Sequence, residues 1–575
     1  MSRRRGRVRV SVGVTVLALV GAALTGCAGP GAGGHGASSA PGASGQAWDV
    51  NETPYDRVAD GGTFVGAYGR PLTTWNAFSV AGNDAEVQFL LSPLGSGANA
   101  EWYNIDGAGR ATPNPDYVSS ADASQDGGRM TVRLVMNPSA QWNDGAPITA
   151  ADWAATWKAL NGSDPAFTAA SSDGWDQVAS VVAGANDREV DFTFRQAYPD
   201  WVSLLVGGPL RAASCADPAT FNEGWSDYHD GWFGGPFAVT SVDRSSGTIT
   251  MERNPRWWGA PPKLDRLVWK LASPEQRGVA FANREIDYFD AAADPGAYQQ
   301  AKSTPDSVIR QSFGPTFRQF TFNSKSPLLS DLTVRRAIVL GLDRTSIAAS
   351  DLAGLPVTPT PLNNNLVMVD QAGYEDEAEA TGLGYNPPEA ERLLDDDGWR
   401  LNQATGIREK DGRPLSIGFS VVTGVGTSEN EGLQARDQLR RIGIDLRLEP
   451  LDPTTDWPDV LVQHRFDIIG FSWVGTPFPY ANIGQIYATG GSANYAQLTI
   501  PEVDRLRPVI DAELDPVARQ DLGRQVARAI WENVHTLPLY QRPSVIAERR
   551  GLANIGAFGL ARGPATWVAV GYVAG

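Results

Sequence analysis

The chain predicts an α/β protein of two or three lobes, and three observations carry the prediction. Its 575 residues exceed what one core holds, since single cores stop growing at roughly 250–300 residues. Segments of strict apolar alternation such as RMTVRLVM sit among segments of helical spacing such as NPPEAERLLDDDGW. In GLQARDQLRRIGIDLRLEP a helical pattern runs through a very short turn into a strand pattern, which is the linkage of α/β folds. With 42% hydrophobic residues, 20% charged and 18 Trp, the chain has the composition of a globular protein.

The amino terminus reads as an export signal. MSRRRGRVRV is a basic head, and SVGVTVLALVGAALTG is an apolar run ending in small residues. About 16 residues are marginal for spanning ~30 Å of hydrocarbon, so residues 1–26 are expected to be a cleaved signal. Leu24, Thr25, Gly26 and Cys27 resemble a bacterial lipobox. That resemblance implies acylation at Cys27 and a tether to the outer face of the cell membrane. AGPGAGGHGASSAPGASGQ then cannot bury apolar surface, and residues 27–59 are expected to form a flexible lipidated linker. Its Gly31, Gly33 and Gly36 spell GxGxxG, but no strand precedes them and no helix follows, so no nucleotide site is expected. Removing Arg3, Arg4, Arg5, Arg7 and Arg9 takes the net charge from -17 to -22, the wrong sign for nucleic acid.

The folded part begins near Gly61, where GGTFVGAYG predicts a strand. RMTVRLVM places Met130, Val132, Leu134 and Met136 on one face, and REVDFTF does the same with Val190, Phe192 and Phe194. Between them NDG marks a turn, Thr149 and Asp152 form a capping pair, and Trp153, Trp157 and Leu160 recur at helical spacing, a pattern expected of core packing. FRQFTFN predicts a strand that opens a second lobe. SDLTVRRAIVLGLDRTSIA predicts a helix with Val334, Ala337, Ile338 and Gly341 on one stripe. NPPEAERLLDDDGW predicts another, with prolines at its start and Gly398 past its end. In GLQARDQLRRIGIDLRLEP the helix should bury Leu433, Leu439 and Ile442, and the strand Ile444, Leu446 and Leu448. DIIGFSW puts Ile469, Phe471 and Trp473 on one strand face, compatible either with a cleft wall or with a buried core.

Catalytic and metal chemistry find little support in these residues. Only Cys27 and Cys215 are present, with Cys215 expected to be a small buried residue. The histidines at 35, 229, 464 and 535 are far apart, so neither a metal nor a cofactor is expected. GFSWVG is GxSxxG rather than the GxSxG elbow, and both HExxH and the GxxxxGK[ST] phosphate loop are absent. The acidic runs Asp395–Asp397 and Asp122–Gly128 lack the oxygen spacing of a calcium loop and read as a solvated helix end and a hairpin turn. No catalytic constellation is expected.

Six blocks in order, WNDGAPITAADW, RNPRWWGAPPKLDRLVW, TFNSKSPLLSDLTVRRAIVLGLDR, YNPPEAERLLDDDGW, LRRIGIDLRLE and FDIIGFSWVG, resemble the solute-binding lipoproteins of oligopeptide ABC importers, over roughly residues 60 to 575. The resemblance implies a two-lobed periplasmic-binding-protein-like fold of type II, in its three-domain peptide-binding form. On that pattern residues 60–85, 205–318 and 537–575 form the core of lobe I, residues 86–204 an extra subdomain of it, and residues 319–536 lobe II. Hinges are implied near Phe317–Asn323 and Leu537–Gln541. The implied partners are an oligopeptide or peptide-like ligand, ABC permease subunits and the membrane at the lipid anchor, with the protein itself a monomer. In peptide-binding relatives a Trp-x-x-Asp motif sets an aromatic wall beside the carboxylate that holds the peptide's ammonium; here Trp473 matches and Thr476 stands at the Asp position. A hydroxyl brings no charge, so the ammonium anchor is weakened or moved. FSWVGTPFPYANIGQIY is thus expected to line a cleft, with Trp473 and Phe471 as apolar surface and Ser472 and Thr476 as polar contacts. Phe322 and Asn323, and Trp75, Asn76 and Phe78 in TTWNAFS, are further cleft positions by the same resemblance. The change at Thr476 also leaves open a second role for the same fold, with a non-peptide ligand or a regulatory or scaffold part in cell-envelope assembly.

Overall fold

The computed structural model describes residues 47–95, 102–453 and 456–574. The signal, most of the linker, Cys27 and the glycine triplet at 31, 33 and 36 lie outside the described residues.

The first lobe is built from two four-stranded sheets. The predicted first strand, Thr63–Tyr68, pairs in parallel with Arg266–Leu271, which continues antiparallel through Thr248–Arg253 to Phe237–Asp243. The second sheet runs Val118–Asp126, Arg129–Met136, Glu189–Phe194, Val178–Ala183, all antiparallel. Both alternating segments bury the faces their period predicts. The helix Ala150–Leu160 covers this sheet and starts with the expected Thr149/Asp152 capping box, which satisfies two backbone donors at its start. Trp153 packs edge-on against Trp102 and Phe192 in a core rich in aromatic rings, to which the chain returns with Leu552, Ile555, Trp567 and Val570.

A six-stranded sheet organises the rest, in the order Tyr288–Asp290, Thr536–Arg549, Ser307–Phe322, Ile468–Val474, Ser416–Val422, Asp445–Leu451. The strands Ser307–Phe322 and Thr536–Arg549 run antiparallel along almost their whole length. Their ladder breaks between Phe313 and Phe317, where Gly314, Pro315 and Thr316 face Arg542 alone. Gly314 is required there, because a Cβ would strike the Arg542 carbonyl oxygen. Beyond the break, helices Leu332–Gly341, Pro387–Asp396 and Gly426–Arg441 bury their apolar stripes in a second core, and Pro501–Ile510 with Pro516–Glu532 close a smaller third one. The molecule is a two-lobed α/β protein.

Two expected details differ. SDLTVRRAIVLGLDRTSIA forms two helices, Leu332–Gly341 and Arg344–Asp351, because the Asp343 carboxylate accepts from Thr345 N and Ser346 N and starts a new helix. Leu433 faces solvent, since Glu431, Gly432, Ala435, Gln438 and Leu439 occupy the inner face of its helix.

Candidate functional site

The strand Ile468–Val474 ends at the ladder break, and the chain then runs between the two lobes. Gly475 N donates to Pro315 O at 2.7 Å, tying the end of this strand to the break. Pro477 lies beside Gly109 of the first lobe, and Phe478 packs on the first lobe's aromatic core. Gln485 crosses as well, its backbone N–H donating to Asp173 Oδ2 at 2.6 Å and its Nε2 to Ala170 O at 2.7 Å.

Trp473 stands where the third core meets two satellite clusters, one around Phe466 and Phe471 and the other around Phe317 and Met368. Its ring lies parallel to that of Tyr495, 3° apart in plane and 5.9 Å between centroids, and takes the edge of Phe471 at 5.2 Å. In front of it is a cavity of about 30 Å³ lined by Phe317, Asn365, Met368, Thr476, Phe478 and Tyr487 among others, with no charged side chain in the lining.

The expected site residues separate here. Trp473 and Thr476 line the cavity. Thr476 Oγ1 donates to Phe478 O at 3.0 Å and accepts from Phe478 N at 3.2 Å, so its hydroxyl closes its own turn. Phe471 is a buried support behind Trp473 rather than a contact surface. Ser472 projects to the opposite face of the strand, where Arg318 Nη1 donates to its Oγ at 3.4 Å. Phe322 is fully buried in the second core, five residues along the strand from Phe317 at the cavity, or about 17 Å. Asn323 donates to the His464 and Phe466 carbonyls at 3.0 and 2.9 Å. Neither residue lines the Trp473 cavity. The open polar hollow of about 470 Å³ that Asn323 lines is larger, but its Asp467 carboxylate is held by Ser326 Oγ and Gly418 N, and it carries no stacked rings. Trp75 and Asn76 are likewise packed inside, Trp75 against Tyr228 and Phe233 and Asn76 bonded to Phe221 O and Phe78 N. Phe78, half-buried, remains at the surface of that core. Asn365, Phe317, Met368, Tyr487 and Tyr495 carry no sequence signal of their own, since distant segments bring them together.

Two charged networks flank the cavity. On the far face of the sheet, Arg318 forms a bidentate pair with Glu431, and both are buried. Nearby, Asp351 accepts from Tyr540 Oη at 3.0 Å and from Asn430 Nδ2 at 2.5 Å; burial, with the Glu431 charge adding to it, pushes its carboxyl up to about 7. Between the lobes, Arg507 meets Asp173 at 3.2 Å, Asp176 at 2.9 Å and Asp511 at 3.5 Å. Arg519 grips Asp200 with both terminal nitrogens and lies over the Tyr480 ring at 5.2 Å. Four carboxylates thus share two guanidinium groups. Burial raises Asp173 to about 6 and Asp511 to about 7, against the pull of Arg507 in both cases. Burial also pushes the Cys215 thiol up to about 12, so it is an inert core group.

The comparisons agree with this architecture. Residues 112–494 match the family model for the middle region of bacterial extracellular solute-binding proteins, family 5. The chain is 36% identical over 519 residues to the oligopeptide-binding protein OppA of Mycobacterium tuberculosis, covering 89% of this chain and 85% of that one. It is 27% identical over 410 residues to LpqW of the same organism, a probable monoacyl phosphatidylinositol tetramannoside-binding protein, covering 63% and 60%. Among solved structures, the periplasmic EDTA-binding protein EppA superposes with a TM-score of 0.80 at 22% identity, over 91% of this chain and 98% of that one. With its fold and most of its length matched in this way, the chain belongs to the bacterial extracellular solute-binding proteins of family 5 and is a binding protein, not an enzyme.

Proposed function

We propose that this protein is the exported, lipid-anchored receptor of an ABC importer, capturing oligopeptides between its lobes and delivering them to membrane permease subunits. The observation that carries the reading is the likeness to OppA across nearly the whole chain, together with an aromatic cavity at the point where strand Ile468–Val474 enters the space between lobes. Trp473, backed by Phe471 and stacked on Tyr495, supplies a rigid apolar face, and backbone groups around Gly475 and Thr476 supply polar contacts. The long strand pair is the hinge, with rotation at Gly314–Thr316, just before the segment the sequence suggests. Ligand favours closure only through contacts it gains in the closed form. Among the described residues no helix is long and apolar enough to cross a membrane.

A second reading, binding of a non-peptide envelope component or a regulatory part in envelope assembly, draws on the uncharged cavity and on the likeness to LpqW. Uptake of labelled oligopeptides separates the two. Loss of uptake on deletion, restored by the wild-type gene and not by Trp473→Ala, supports the importer; unchanged uptake on deletion refutes it. Cys27→Ala should release the protein from membranes while leaving its fold intact.

A further inference from the structure

Asn365 is 3% exposed and lines the Trp473 cavity. Its Nδ2 donates to Thr536 Oγ1 at 2.8 Å, and its backbone carbonyl accepts from Tyr487 Oη at 2.9 Å. Its Oδ1 is buried without a donor. A buried carbonyl oxygen left in this way loses its hydration with nothing in exchange, so such groups are normally paired. The Thr476 and Gln371 side chains beside it are already engaged. Thr476 Oγ1 both donates to and accepts from Phe478, and Gln371 donates to Thr476 O at 2.9 Å while accepting from Met368 N at 2.9 Å. The nearby carboxylate of Asp370 is solvent-exposed, outside the lining, and accepts from Gln541 Nε2 at 3.0 Å.

We propose that Asn365 sets the specificity of this cavity by accepting a hydrogen bond from an uncharged N–H group of the ligand, so that the pocket takes a peptide amide in place of a terminal ammonium. An ammonium carries three donors and a full charge. In a cavity whose lining holds apolar, hydroxyl and amide groups and no carboxylate, it would give up hydration for neutral acceptors only. A secondary amide N–H has one donor to satisfy, and Asn365 Oδ1 offers one acceptor. At about 30 Å³ the cavity admits only the N–H end of one peptide unit beside the Trp473 ring, with the rest of the peptide lying outside it. The chemical class implied is a peptide whose amino end is blocked, or one bound through an internal amide. This inference rests on the peptide-binding reading.

The test is competition between two random pentapeptide pools, one with free amino termini and one N-acetylated, for the full-length protein in detergent. Retained peptides are counted by mass spectrometry. The wild type should enrich acetylated over free peptides about five- to tenfold, the worth of one hydrogen bond and an avoided desolvation. Asn365→Ala should lose that preference while melting within a few degrees of wild type, and Asn365→Asp should shift it toward free amines by supplying a carboxylate. Enrichment of free-amine peptides by the wild type, or an acetyl preference unchanged in Asn365→Ala, overturns the assignment and leaves peptide binding standing. Retention of neither pool by folded protein overturns the peptide reading and this assignment with it.

Discussion

Trp473 is the residue on which ligand affinity should depend most, because three hydrophobic clusters converge on it and one face of its ring is held by Tyr495. Trp473→Ala should weaken ligand binding about tenfold to a hundredfold by calorimetry, the range for a central aromatic anchor. Thr476→Asp places a carboxylate where only a turn-closing hydroxyl now stands, and should improve the affinity of free-amine peptides several-fold at neutral pH. No gain would mean that the ammonium lies elsewhere. Trp473 was legible in the sequence because a strand pattern and a block order both converge on it. Asn365 was not, since it lies in an irregular segment and is held at the cavity by Thr536 and Tyr487, more than a hundred residues away. The same limit explains Trp75 and Asn76, whose loop suggests exposure until Phe221, Tyr228 and Phe233 are folded over it.

A buried ion pair joins the strand Ser307–Phe322 to the helix over it. Glu431 on Gly426–Arg441 holds Arg318 on Ser307–Phe322, and removing one partner leaves an uncompensated buried charge. Glu431→Leu should destabilise the protein by about 3–5 kcal/mol in urea melts, whereas Leu433→Ala on the exposed face of the same helix should change it by less than about 0.5 kcal/mol. Most strands and helices could be read from apolar period, because each buries one face against its own sheet. The Asp343 interruption was hidden because a capping aspartate inside a continuous apolar stripe has the same period as an unbroken helix. Leu433 misled for the converse reason: small and polar residues hold the inner face, so helix composition and helix orientation disagree.

Closure of the two lobes should respond to pH through the acidic contacts between them. Asp173, Asp176 and Asp200 come from the first lobe and Asp511 from the second, facing Arg507, Arg519, Tyr198 and Tyr480. Asp173 and Asp511 titrate above their ordinary value when the contacts form, at about 6 and about 7. For carboxylates raised in this way the closed form binds more protons than the parted one, so closure is favoured as pH falls and loses that contribution as pH rises through about 6 to 7. Ligand should bind several-fold more tightly at pH 5.5 than at pH 7.5, and Asp511→Asn should flatten the difference. Equal affinities at both pH values in the wild type would contradict this account of the contacts. The two-lobed plan itself followed from length and block order, but these contacts did not, because no local pattern marks an aspartate that meets its arginine some 300 residues away. The central claim, that the space between the lobes holds peptide, is tested most directly by mass spectrometry of whatever the protein carries when purified without denaturation and stripped with acid. A ladder of short peptides is the predicted result. A glycolipid or another non-peptide solute, or protein that stays empty when offered peptide pools, would contradict it.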